Sequence, residues 1–152
     1  YLLGNSGISS TDLGWGTNFN SENAMDLAET GKTAAKRHTI EDINSEKYLD
    51  IFEDNILILK SIIEWSKKNN VNVLLYTPPS FETYRQNLHQ EQKNITFNTT
   101  SQICSSFQNC IYTNLLSDTS FIAVDFYDAD HLSEIGAKKL SEIIDEKIIE
   151  WK

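Results

Sequence analysis

The sequence predicts an α/β fold built as three layers, with helices on both faces of a parallel sheet. Three observations carry that expectation. From about residue 45 onward, helix-like and strand-like patterns alternate in the order helix, strand, helix, strand, helix. The clearer strand, Val71–Thr77, is a largely apolar, β-branched run, as in strands covered on both faces. The segment between the two strand-like runs is long and helical, which suits a crossover and not a hairpin. Two strands are fewer than a stable doubly wound sheet needs, so the sheet reads as incomplete, with strands missing upstream.

Residues 1–45 hold Gly4, Gly7, Gly14, Gly16 and Gly31 among frequent Ser, Thr and Asn. No period persists there, apart from a short helix expected near Ser21–Thr30, so the stretch reads as a lid or insertion. Residues 46–152 form the α/β part. Leu49, Phe52, Ile56, Leu59 and Ile63 step by 3, 4, 3 and 4, one face of an amphipathic helix. Ile51, Ile58, Ile62 and Trp65 widen that face, so contact on both sides is expected. Lys67-Lys68-Asn69-Asn70 ends the helix with cations at the negative end of its dipole. The strand Val71–Thr77 stops at Pro78-Pro79, which cannot extend a ladder. Helices are expected over Phe81–Gln92 and, more weakly, Asn98–Gln108. A second strand is expected over Asn109–Leu116, and a loop over Ser117–Tyr127. The last helix follows Ser133, a suitable N-cap, with Ala137, Leu140, Ile144, Ile148 and Trp151 as its buried stripe and Ile143 beside it.

Length and composition suit one domain or a fragment of one: 152 residues, 39% apolar and 23% charged. The net charge of −9 argues against nucleic acid or an anionic membrane surface as partner, since both would repel it. No apolar run approaches a membrane span. Cys104 and Cys110 read as two unpaired small apolar residues, with a disulfide as the alternative. No cofactor and no metal is expected.

The chemistry concentrates in Asp125-Phe126-Tyr127-Asp128-Ala129-Asp130-His131-Leu132, just ahead of the last helix. An Asp three residues before a His, in a turn, can set its carboxylate against Nδ1. The imidazole is then fixed in tautomer and pose, and Nε2 is left to take a proton from a hydroxyl. Such a turn would lie near the carboxyl ends of the strands, where open α/β sheets place their ligands. Asp125 and Asp130 read as solvated carboxylates, because their spacing with Asp128 does not match a calcium loop. Arg37-His38 reads as a surface pair, His89 as solvated and Tyr84 as packing. Trp15 is balanced between covering a site and packing.

Asp128-Ala129-Asp130-His131-Leu132, followed by Gly136-Ala137 and an amphipathic helix, resembles the last conserved block of the SGNH/GDSL hydrolase superfamily. Ile62–Pro79 is similar to that family's helix and strand ending in Thr-Pro-Pro, followed by an aromatic segment like Phe81-Glu82-Thr83-Tyr84. The resemblance covers Ser45–Lys152. It implies a flavodoxin-like three-layer architecture, with His131 as general base and Asp128 as its orienter. The implied reaction is serine-mediated hydrolysis or transfer of an acyl group, often acetyl, on a carbohydrate or similar hydroxyl substrate. The Asn/Lys/Ile-rich composition suits a low-GC bacterium, with cytoplasm and cell envelope both open.

One departure matters. The family's nucleophile sits in a Gly-Asp-Ser block, and its oxyanion donors in two further blocks, none of which is evident. Gly4-Asn5-Ser6 makes Ser6 a candidate nucleophile, but no strand-like runs succeed it to supply the other blocks. The favoured expectation is a nucleophile-bearing half preceding Tyr1, which would then be a partner of this chain. A non-catalytic binding module with the same fold is the competing reading. An unrelated flavodoxin-type domain is the third, weakened because no phosphate-binding glycine loop comes after either strand.

Overall fold

In the computed structural model, which describes residues 10–12 and 16–151, helix α2 (Glu46–Lys68) and strand β1 (Val73–Thr77) form where the pattern puts them. Two separate helices, α3 (Glu82–Asn87) and α4 (Gln90–Ser105), lie between β1 and strand β2 (Cys110–Asn114). β1 and β2 pair in parallel, Val73 opposite Cys110 and Thr77 opposite Asn114. Ser45 caps α2 by accepting the Tyr48 N–H. Past its end, Asn70 takes a φ of 56°, a left-handed turn that Asn tolerates, and the chain swings into β1.

These elements belong to one of two compact units, drawn from Ala35–Pro78 and Asn87–Leu116. Its core is apolar. Ile63, fully buried on α2, packs with Ile103, Cys104 and Cys110, and Ile56, Leu59 and Leu75 close around them. Cys104 and Cys110 form a disulfide, which corrects the expectation of unpaired thiols. The end of α4 and the start of β2 converge in one core, and the Cα atoms come to 5.1 Å, within disulfide reach. A second correction concerns α2. Its inward stripe is Phe52, Ile56, Leu59, Ile63 and Ser66, while Ile51, Ile58, Ile62 and Trp65 are exposed. The sheet they could cover has only two strands among the described residues, too few to bury both flanks of a 23-residue helix. The third is the α3–α4 boundary. The helix expected to run on to Gln92 stops at Asn87, because His89 caps a new one by accepting the Gln92 N–H at 3.2 Å.

The other unit comprises the described residues up to Ala34, Pro79–Gln86, and those from Ser117. Helix α1 (Leu27–His38) begins in it, where the sequence pattern predicts no helix of that extent. Asp26 caps it, accepting the N–H groups of Ala28 (2.8 Å) and Glu29 (3.0 Å). Its buried positions are Gly31, Ala34 and Ala35, small residues that give no amphipathic signature. A Cβ on Gly31 would overlap Thr83, so this helix packs backbone-close. The expected Ser21–Thr30 helix is split into a 3₁₀ turn at Ser21–Asn23 and the first turn of α1, which begins at Leu27.

The expected Ser117–Tyr127 loop ends in regular structure. A 3₁₀ turn (Ala123–Asp125) leads into an antiparallel hairpin of β3 (Phe126–Asp128) and β4 (His131–Leu132), then helix α5 (Glu134–Glu150). Phe126 is buried between Phe81 and Phe121, at 5.7 and 6.4 Å between ring centroids. Ser133 caps α5 as expected, accepting the Gly136 N–H. Its own N–H and hydroxyl go to the Asp125 and Val124 carbonyls, which bolts α5 to the 3₁₀ turn. Of the stripe expected on α5, Ala137, Leu140, Ile143, Ile144 and Trp151 are half-buried, and Ile148 is exposed. No helix among the described residues is long and apolar enough to cross a membrane.

Candidate active site

The turn Asp128–His131 is the tip of the β3–β4 hairpin, and Asp128 pairs with His131 across it. A loop of only two residues, Ala129-Asp130, forces the two side chains together. Oδ1 of Asp128 accepts the backbone N–H of Asp130 (3.1 Å) and of His131 (2.8 Å), and Nδ1–H of the imidazole (2.9 Å). Oδ2 stands 3.0 Å from the same Nδ1. The carboxylate thus reads the backbone and the ring together, so the turn's geometry sets the imidazole's pose.

The turn is anchored on both sides. Ala129, fully buried, donates its N–H to the Thr30 hydroxyl at 3.1 Å and accepts the Phe81 N–H at 2.9 Å. The Tyr127 carbonyl accepts the Met25 N–H at 2.7 Å. The site therefore rests on α1 and on the segment after Pro79, neither of which the D-x-x-H pattern reveals.

The carboxylates are not the solvated groups expected from sequence. Asp125 is buried, with Oδ2 bound to Lys139 Nζ (3.0 Å) and to the Ile122 N–H (2.8 Å). Lys139 in turn lies 4.9 Å over the Phe121 ring. The Asp128 and Asp130 side chains are 16% and 8% exposed, against 55% for His131. Burial of the acids behind an outward imidazole is the arrangement in which the acid orients and the imidazole reacts. Asp130 Oδ1 is 3.6 Å from Nδ1, a second negative charge behind the ring. His131, Asp128 and Asp130 each present a ligand atom within 4.8 Å of the others. A cation bound there through Nδ1 would have to displace the Asp128–imidazole bond.

Among the described residues, no hydroxyl is bonded to Nε2 of His131. Ser6, the sequence candidate for nucleophile, lies outside the described residues, as does Trp15. Arg37 and His38 are exposed at the end of α1, His89 is exposed at the start of α4, and Tyr84 is half-buried.

Two residues that sequence reasoning does not single out join the site. Phe19 lies against the His131 ring, planes 28° apart and centroids 6.4 Å apart. Ser21 holds Glu134, which the sequence marks only as a first-turn acid of α5. Neither carries a local signal, since both depend on a fold-back of the early chain onto α5. The Ser21 hydroxyl holds the Glu134 carboxyl below the ordinary carboxylate range, and the Ser21 N–H adds to this. No family model, curated protein or solved structure matches the chain.

Proposed function

We propose that this chain is the carboxy-terminal part of an SGNH-type serine esterase or acyltransferase, with His131 as general base and Asp128 as its orienter. The observation that carries this reading is the two-oxygen approach of Asp128 to Nδ1, with Nε2 turned away from the acids. In the proposed reaction Nε2 takes the proton of a serine hydroxyl as the oxygen attacks an ester carbonyl. The imidazolium, paired with Asp128, then returns the proton to the departing alkoxide. Water or an acceptor hydroxyl releases the acyl group by the same steps in reverse. The serine would come from the amino-terminal half of the fold, which would also complete the three-layer, flavodoxin-like sheet beside β1 and β2.

The substrate class proposed is an acyl, most simply acetyl, ester of a carbohydrate or similar alcohol. The Cys104–Cys110 disulfide favours a compartment outside the reducing cytoplasm, such as a bacterial envelope. The test is hydrolysis of p-nitrophenyl acetate by the full-length protein. His131→Ala is expected to lower kcat/KM about ten-thousand-fold, and Asp128→Asn by roughly a thousandfold or more. Equal activity in wild type and His131→Ala overturns the assignment.

One observation favours a second reading, a non-catalytic binding module of the same fold. Nε2 has no hydroxyl partner among the described residues. Under that reading the full-length protein binds the carbohydrate ester and leaves it intact.

A further inference from the structure

The His131 side chain is 55% exposed, and one aromatic ring flanks it. Phe19 stacks on it and meets Tyr127 edge-on at 5.1 Å. Two residues later, Ser21 is fastened at its N–H (2.7 Å) and its hydroxyl (2.6 Å) to the carboxylate of Glu134. Glu134 opens α5 three residues after His131, so the segment that carries the imidazole also anchors the segment that carries Phe19. Beside them lies a recess of about 230 Å³, lined among the described residues by Gly16, Phe19, His131 and Leu132. A Cβ on Gly16 would stand 3.2 Å from the Phe19 ring, so the missing side chain there keeps the recess open.

Resting on the acyl-transfer reading of the dyad, we infer that this recess receives the acyl chain of the substrate, a short saturated chain, with Phe19 as its wall and the Ser21–Glu134 pair fixing where that wall stands. Among the described residues the lining is carbon and backbone apart from the imidazole, which rewards an apolar group taken out of water. The recess lies below the usual size of ligand pockets, which favours a short chain over one that must extend past the described lining. Asp128 and Asp130 stand behind the ring, so an anionic acyl group would meet like charge.

The test uses isotope-labelled protein and three neutral probes, ethyl acetate, ethyl butanoate and ethyl octanoate, monitored by NMR. Saturable shifts are expected at His131, Phe19 and Leu132, with ethyl butanoate binding more tightly than ethyl octanoate. Phe19→Ala is expected to weaken butanoate about fivefold or more, while Phe19→Leu retains most of the affinity. Glu134→Gln, which leaves the wall residue in place but loosens its anchor, is expected to fall between them. Octanoate binding tightest, or equal affinities in wild type and a folded Phe19→Ala protein, overturns the inference, as does the absence of saturable shifts. The enzyme reading fails separately. Binding without turnover by the full-length protein keeps the recess and removes the esterase. Turnover with an unchanged acyl-length preference in Phe19→Ala keeps the esterase and removes the recess.

Discussion

The unit that carries β1 and β2 is closed by carbon, around Ile63, Ile103 and a disulfide. The unit that carries His131 is closed largely by hydrogen bonds and charge, beside one aromatic cluster at Phe126. An apolar core tolerates imprecise geometry, because its cohesion is non-directional. A hydrogen-bonded one holds its groups at fixed distances and angles, and it is costly wherever a partner is lost. The Asp128–His131 turn sits in the unit that fixes geometry, and the covalent staple sits in the other.

This contrast can be broken from either side. Ile63→Ala empties the centre of the apolar core and is expected to cost about 4 kcal/mol in urea unfolding. Asp125→Ala is expected to cost roughly 2–3 kcal/mol, because it takes the carboxylate from Lys139 and leaves the Ile122 N–H without its acceptor. A loss under about 1 kcal/mol for Asp125→Ala would show that charge does not hold the site unit together. Reducing Cys104–Cys110 is expected to cost about 2 kcal/mol, the value for so short a loop, read as a drop in Tm on adding dithiothreitol.

Gly136→Ala sharpens the comparison through its sign. Within a helix this exchange usually stabilises by up to about 1 kcal/mol. Here a Cβ would overlap the backbone carbonyl of Asp125, so destabilisation of about 1–2 kcal/mol is expected from urea melts. The smallest effect is expected at Glu134. Its folded pKa lies below its unfolded value, so its contribution is fully present above the ordinary carboxylate range. That contribution is lost as pH falls through the folded value. In an NMR titration, Ser21→Ala should return the Glu134 carboxyl toward its ordinary pKa, and an unmoved midpoint would remove Ser21 as the cause.

The same contrast explains what can be read in the sequence. α2, β1, β2 and α5 declare themselves through large side chains at regular steps. α1 does not, because Gly31, Ala34 and Ala35 face inward and carry too little apolar surface to mark a period. The dyad is legible because Asp128 and His131 are three residues apart, close enough for one turn to join them. Its supports are not, since Thr30 and Phe81 reach Ala129 across 99 and 48 positions of chain. The burial of Asp125 is equally hidden, because its partner Lys139 looks like any exposed helix cation. The cysteine pairing requires knowing that a helix end and a strand start share one core.

A single oxygen of Asp128 receives two peptide N–H groups as well as the ring. The entropy of freezing that side chain is therefore met while the main chain folds, before any ligand arrives. Under the proposed reading, an alcohol reaching Nε2 would meet an already aimed lone pair. Drift in the peptide planes of Ala129 and Asp130 would disturb all of those contacts together.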